Sequence, residues 1–419
     1  MKILHLSFGD LNGAFYGAYR THANLVRYGH ESTMFVLRKT SNDVNVVSIS
    51  SFYHVILDFF YRAVRRLIIK NDRLKDKTFL LYKTSFVLKK IFKIYKNSPD
   101  LIIIYYVAGF LSDNDIEKLQ KHYGCPIAFY LMDVAALTGG CHYPWDCKGY
   151  MESCNQCPAV RNMFRAIPKN VFENRRRISG NVKSVYLSGS EWLDDRIAIS
   201  EIKPSFGSFK LLMGIDESIF TPRPKEEAMS VLNISIQRGN KVILLGAQSL
   251  SDTRKGFKYF IDAMHIIKKS NLELFSDVTF LTVGCSDYDC EVFNGFEHVN
   301  LPFIKDKNKY PYIYNLADVF ICPSVEDAGP MMINEAIISG LPVISFRVGV
   351  ASDLIVNGCT GFISNEISSK ALSKMILRFV SLTLDDVHTM KTNARNYGVE
   401  KTSAEKQIVS LTKIINELY

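Results

Sequence analysis

The stretch "SVEDAGPMMINEAIISGLPVIS", residues 324–345, sets three carboxylates (Glu326, Asp327 and Glu335) among apolar residues. A Gly329-Pro330 step lies between them, and a strand-like run follows. The preceding "DVFICPS" reads as a strand, so "VEDAG" is the loop at its carboxyl end. Pro330 suits the first turn of a helix, where its missing N–H costs nothing. The N–H groups of Met331, Met332 and Ile333 are then without partners at a helix start. Such groups make a cradle for a phosphate or a sugar hydroxyl oxygen. One turn further on, Glu335 can accept two hydrogen bonds from a ribose diol, and Asp327 on the loop can accept from hexose hydroxyls. The competing reading is that these acids only favour the positive end of the helix. It accounts for Asp327 but not for Glu335, which is followed by "AIISG" and a strand.

A second cluster is "GGCHYPWDCKGYMESCNQCP", which holds Cys141, Cys147, Cys154 and Cys157 with His142 beside the first. Four thiolates can close a tetrahedral zinc site, and the final C-x2-C is typical of one. The alternatives are reduced thiols packed in a loop, or disulfides, which a reducing cytosol disfavours. A catalytic zinc is disfavoured because four cysteines leave no open position.

The elements that must position these groups alternate along the chain. In the first half "KILHLSF", "STMFVLR", "DLIIIYY", "PIAFYLMD" and "SVYLSGS" read as strands separated by helical runs. Near 205–225 the alternation restarts, and residues 367–419 read as mostly helical. Continuous apolar strands alternating with helices predict parallel sheets covered on both faces. The expected organisation is an N-terminal Rossmann-like domain over 1–205, a second over 206–395, and a C-terminal helix over 396–419 that crosses back to the first. Within the first domain lie a basic insertion, 52–97, and a Cys loop, 138–158. Two such domains facing a central cleft would bind ligands at the carboxyl ends of their strands.

A length of 419 residues favours two domains, and 47% hydrophobic with 22% charged residues is an ordinary globular balance. Neither a signal peptide nor a transmembrane helix is expected, which predicts a cytosolic location. The net charge of +9 favours anionic partners. Arg62, Arg65, Arg66, Lys89, Lys90 and Lys93 lie on segments of 61–96 that look helical and amphipathic. Docking on an anionic membrane surface is one reading of them, and solvated helix faces packed on a sheet is the other. Nucleic acid is not an expected partner, since no reader motif appears.

The 324–345 segment resembles the signature of glycosyltransferase family 4, glutamate-x7-glutamate followed by a small-residue helix, G-x-P-V and a strand. Glu335, Gly340, Pro342 and Val343 match it, and Asp327 stands at the first acidic position, one methylene short. "GIDESIFTP" (214–222), "RKGFKYFIDAM" (254–264), "YNLADVFICPS" and "VGVASDLIVNGCTGF" resemble further family segments. "LNGAFYGAYRTHANL" resembles the glycine-rich acceptor-side loop, with Gly13 on its first glycine. "TGGCHY" and the cysteines after it are similar to a colanic-acid and O-antigen-type branch. Two positions depart from the pattern. Met132-Asp133 stands where many members have His-Asp, and no arginine occurs at Ala247, Gln248 or Ser249.

The resemblance implies a GT-B fold and a retaining, metal-independent transfer of a sugar from a nucleotide diphosphate donor to a lipid-linked glycan in surface polysaccharide assembly. It implies that Glu335 binds ribose, Asp327 the sugar, and Lys255 the donor diphosphate, with Arg254 a second cation. Gly13, Gly329, Pro330, Met331, Met332 and Ile333 complete the donor side. Asp133 would position the acceptor or act as a weak base. No cofactor is expected for catalysis, and the only metal in view is a structural zinc on the four cysteines. The rival readings are a nucleotide-sugar epimerase of the same fold and a non-catalytic sugar-nucleotide-binding homologue.

Overall fold

A computed structural model describes residues 1–11, 13–50, 63–70, 85–105, 107, 109–237, 239–246, 251–284 and 290–419. The chain divides into two compact units, Met1–Gly214 with Gln407–Tyr419, and Ile215–Lys406.

In the first unit seven strands form one parallel sheet. They are β1 (Lys2–Gly9), β2 (Glu31–Arg38), β3 (Val46–Ser48), β4 (Leu101–Ile104), β5 (Ile127–Leu131), β6 (Ser184–Ser188) and β7 (Ser208–Lys210). Their order is β3-β2-β1-β4-β5-β6-β7. β4, "LIII", is buried along its whole length, as a strand covered on both faces must be. The order reverses between β1 and β4, so the crevice for ligands opens beyond their carboxyl ends. The three-residue β7 pairs with β6, which carries the first unit past the boundary expected at 205/206. The helix Leu384–Thr402 belongs to the second unit, so the chain returns to the first at Gln407 and not at 396.

That return is fixed by a buried polar cluster. Asn24 donates to the Gly214 carbonyl at 3.1 Å and to Gln407 Oε1 at 3.0 Å, and Gln407 Nε2 donates to Thr21 Oγ1 at 3.2 Å. Gly214 must be glycine, because a Cβ there would stand 2.5 Å from Gln407 Oε1.

The second unit repeats the plan with β8 (Lys241–Gly246), β9 (Val278–Val283), β10 (Glu297–Leu301), β11 (Val319–Cys322), β12 (Val343–Phe346) and β13 (Gly361–Ser364). The parallel order is β10-β9-β8-β11-β12-β13. It reverses between β8 and β11.

The helix Ser85–Ile94 buries Val87, Leu88 and Ile91 in the first unit's core and leaves Lys89, Lys90, Lys93 and Ile94 exposed. Residues 63–68 form a helix that exposes Val64, Arg66 and Leu67, whereas Arg65 is half-buried. Arg62 lies outside the described residues. Among the described residues no helix is long and apolar enough to cross a membrane.

Candidate functional site

The acids of the opening stretch lie at the switch point of the second sheet, on the loop after β11 and the helix Met331–Ile338 that follows. The loop after β8 is fastened alongside. Val325 N–H donates to the Arg254 carbonyl at 2.8 Å, and Glu326 N–H reaches the same oxygen at 3.4 Å. Gly256 makes the close approach feasible. Its φ is +65°, and a Cβ would stand 1.9 Å from the Pro323 carbonyl oxygen. The Lys-Gly pair is therefore a geometric requirement as well as a chemical one, because the glycine brings the lysine to the acid. Lys255 Nζ donates to Asp327 Oδ2 at 2.6 Å. Burial works against the ammonium, but Asp327 outweighs it and holds the lysine pKa above its ordinary value.

Asp327 Oδ1 also accepts from Gly329 N–H at 3.1 Å. The expected hexose acceptor is thus engaged on both oxygens by its own unit. Gly349, φ +59°, closes the loop from the other side, where a Cβ would lie 2.8 Å from the Asp327 carbonyl oxygen and 2.9 Å from Pro330 Cδ. Arg254 is close by, but its guanidinium donates to Asp252 Oδ2 at 2.5 Å. Residues 247–250, where the family arginine would stand, lie outside the described residues.

The helix start differs from expectation in two ways. Pro330 caps the helix and does not occupy its first turn. Ile333 N–H donates back to the Pro330 carbonyl at 2.9 Å, across Met331 and Met332 at the start of the helix. The expected row of three unpartnered N–H groups therefore loses Ile333. Met332 leans on the end of β8, its Cε 2.9 Å from where a Gly246 Cβ would be.

Glu335 is buried and held by two residues that sequence reasoning missed. Tyr314 Oη donates to Glu335 Oε2 at 2.5 Å and Tyr310 Oη at 3.0 Å, with the two hydroxyls 3.0 Å apart. Tyr314 lies on the helix Tyr312–Leu316 and Tyr310 in the turn just before it, four residues earlier. Phe220, from the "GIDESIFTP" segment, supports both rings at centroid distances of 6.5 and 6.0 Å. Burial, then the Glu335 charge, drives the Tyr314 pKa well above the phenol range, so this hydroxyl stays a donor. Glu326 is buried as well.

The first unit presents a different acid. Asp133 follows β5. Its Oδ1 accepts from Ala135 N–H at 2.7 Å, and its Oδ2 lies 2.7 Å from His142 Nδ1. The Cys loop brings His142 back through a turn in which Thr138 Oγ1 donates to the Cys141 carbonyl at 2.8 Å. Gly139 belongs to that turn, where a Cβ would meet the Pro168 carbonyl at 2.3 Å. Gly13, φ 54°, precedes the helix Ala14–Arg27 beyond β1, in the same unit.

The cysteines expected to hold a structural zinc pack in more than one cluster. Among the described residues no group of three or more His, Cys, Asp or Glu could hold a metal ion. Cys157 packs with Ile68, Ala159 and Val160, whereas Cys154 packs with Tyr150, Phe172 and Ile202. Residues 68–70 pair with the chain after Cys157, Lys70 N–H donating to the Ala159 carbonyl and Arg161 N–H to the Ile68 carbonyl. Cys141 and Cys154 are buried, Cys147 is half-buried, and no disulfide joins them.

This site sits inside a recognisable domain. Residues 239–381, which carry Lys255, Asp327 and Glu335, match the family model described as "Glycosyl transferases group 1". Two Escherichia coli proteins are similar in sequence. One is WcaL of strain K12, whose name assigns it provisionally to colanic acid biosynthesis as a glycosyltransferase. It is 24% identical over 195 residues, 44% of this chain and 44% of that protein. The other is a UDP-Gal:alpha-D-GlcNAc-diphosphoundecaprenol alpha-1,3-galactosyltransferase, 26% identical over 205 residues, 46% of this chain and 50% of that protein. The chain thus spans about half the length of the curated relatives it matches. Sucrose-phosphate synthase from Thermosynechococcus elongatus superimposes with a TM-score of 0.67 at 16% identity, covering 100% of this chain and 98% of its own. Anabaena HepE, solved with UDP, superimposes with a TM-score of 0.64 at 14% identity, covering 100% of both chains. These likenesses fix the fold as that of GT-B glycosyltransferases, two parallel-sheet Rossmann-like units.

Proposed function

We propose that this protein is a retaining glycosyltransferase of family 4, in its colanic-acid and O-antigen-type branch. It moves a sugar from a UDP-linked donor to a lipid-linked oligosaccharide during surface polysaccharide assembly. The observation that carries the reading is the meeting of Lys255, Asp327 and the doubly tethered Glu335 at the switch point of the group 1 domain. HepE binds UDP on the same fold, and the galactosyltransferase relative is named for a diphosphoundecaprenol acceptor.

In this reading Glu335 accepts the ribose hydroxyls, its orientation fixed by Tyr310 and Tyr314. Lys255 faces the diphosphate and stabilises the charge that grows on the β-phosphate as the bond from the anomeric carbon breaks. Asp327 aims the ammonium and contributes its remaining acceptor capacity to the donor sugar. The remaining N–H groups at the start of helix Met331–Ile338 assist, and no metal takes part in the chemistry. The exposed Lys89, Lys90, Lys93, Arg66, Val64 and Leu67 hold the protein at the cytoplasmic face of an anionic membrane, where a lipid-linked acceptor is found.

The test is transfer by the purified protein across a panel of nucleotide sugars with a lipid diphosphate oligosaccharide, followed by product mass. Glu335→Ala should abolish UDP binding and transfer together, and transfer that survives it refutes the site. Turnover of a donor to a free epimerised sugar without acceptor would favour an epimerase. UDP binding without any turnover would favour a non-catalytic homologue.

A further inference from the structure

The chain enters the second unit at Ile215, and its first residues there are fastened to both helices whose side chains meet at Glu335. Arg223 N–H donates to Asn315 Oδ1 at 2.8 Å, which ties the segment to the helix Tyr312–Leu316 that carries Tyr314. Arg395, on the helix Leu384–Thr402, ties it to the helix Met331–Ile338 that carries Glu335. Its Nη1 donates to the Phe220 carbonyl at 2.7 Å and to the Ile338 carbonyl, and its Nη2 to the Glu217 carbonyl at 3.1 Å. Ile338 ends its helix, so its carbonyl is one of those that lack an intrahelical donor, and a guanidinium suits that negative end.

Between these two fastenings the chain makes a tight turn. Phe220 N–H donates to the Asp216 carbonyl at 2.9 Å, while Ser218 N–H and Oγ donate to Asp216 Oδ1 at 3.0 and 2.6 Å. The turn buries the Phe220 ring against the two phenols that hold Glu335. Phe220 stands 6.5 Å from Tyr310 and 6.0 Å from Tyr314 between centroids, and the two tyrosines stand edge to face at 5.9 Å. All three separations lie in the range of favourable aromatic pairs. Three rings in mutual contact close a triangle, so neither phenol can swing away from Glu335 without displacing a packed neighbour. Both hydroxyls end on the same oxygen, Oε2, which fixes the rotation of the carboxylate.

We infer that Phe220, anchored by Arg395, is a positioning residue that sets the preference of this site for a ribonucleotide over a deoxyribonucleotide. The inference rests on the reading of Glu335 as the acceptor of the ribose hydroxyls. A site built to bond a hydroxyl rejects the analogue that lacks it, because its buried polar group is then left unpaired. That rejection depends on the carboxylate keeping one orientation. Phe220 supplies it through the phenols, and Arg395 supplies it by holding the Phe220 backbone to the end of the Glu335 helix. The contacts all lie within the second unit.

The experiment is isothermal titration of the full chain with UDP and with dUDP. Wild-type protein should prefer UDP by about 30-fold, the worth of a hydrogen bond to a charged group. Phe220→Leu keeps an apolar side chain and should cut that preference by about fivefold or more, through weaker UDP binding with dUDP held within about twofold. Arg395→Lys keeps the charge but cannot span the three carbonyls, and should cut the preference in the same way. This second variant decides the question if Phe220→Leu does not fold. A role confined to stability would weaken both nucleotides alike and leave their ratio unchanged. The proposal is overturned if the folded variants keep the preference within about twofold of wild type. Wild-type protein that binds UDP and dUDP equally would remove the ribose reading of Glu335 and this proposal together. A wild-type preference that survives both substitutions removes this proposal alone.

Discussion

The two units share a strand order but treat their acids differently. In the second unit Asp327 and Glu335 are held by an ammonium and by phenols, groups that keep their protons near neutrality. Asp327 has a lysine raised above its ordinary pKa, and Glu335 has two phenols, one pushed far upward. In the first unit Asp133 is held by an imidazole and a backbone N–H. The same fold thus pairs its acids with an ammonium and phenols in one unit and with an imidazole in the other.

The largest effect that would break this contrast is expected at Lys255. Lys255→Met should cut transfer by about 100-fold or more, because the leaving diphosphate loses its cation. It also leaves Asp327 buried without a counter-charge, at a cost to stability of about 3 kcal/mol in urea unfolding. Adding Asp327→Asn should restore the stability and not the rate. Recovery of both would show that the pair is only structural.

Acid should next distinguish the units. Burial holds His5 far below the ordinary histidine pKa, with His22 adding repulsion, and burial lowers His22 despite Asp43. Both are neutral when folded and take up protons near pH 6.5 when unfolded, so the unfolded chain binds more protons below that value. Stability of the first unit should therefore fall with pH below about 6.5, by at most about 1.4 kcal/mol per pH unit for each histidine. Hydrogen exchange followed from pH 7 to 5 should show β1 and Ala14–Arg27 losing protection before the second unit. Equal loss in both units would contradict the assignment.

Tyr314→Phe should weaken UDP binding by about tenfold, since a buried carboxylate loses its shortest donor without a change of shape. Tyr310→Phe should have a smaller effect, because its bond to Glu335 is longer and Tyr314 continues to donate. Isothermal titration of both variants with UDP orders the two, and the reverse order would place the principal tether on Tyr310.

Much of the fold could be read from periodicity, because buried parallel strands such as "LIII" and "VFIC" announce themselves as unbroken apolar runs. β7 could not, since a three-residue edge strand with an exposed pattern carries no such signal. At the site Glu335 stood out from its place one turn into a helix, whereas Lys255 was named only through the family resemblance. The tyrosines were not, because two aromatics four apart look like any core face until the carboxylate they meet is known. His142 was noticed only as a neighbour of a cysteine. The contact that gives it meaning depends on a turn through Gly139, whose fit against Pro168 is a tertiary fact. Where Cys157 packs, beside Ile68 and Val160, was likewise not legible from the cysteine spacing.

The buried cluster of Asn24, Gly214 and Gln407 has a consequence for how the protein is made. The second unit is closed on itself by Ile215 N–H donating to the Thr402 carbonyl at 2.8 Å, so it is complete once residue 406 has left the ribosome. The first unit, begun earlier, must wait for Gln407 and the helix that carries it. Until then Thr21 and Asn24 lack the partner that occupies them in the finished protein. The half of the molecule that is translated first is therefore the half that matures last, and a truncated nascent chain should hold a folded second unit beside an unfinished first.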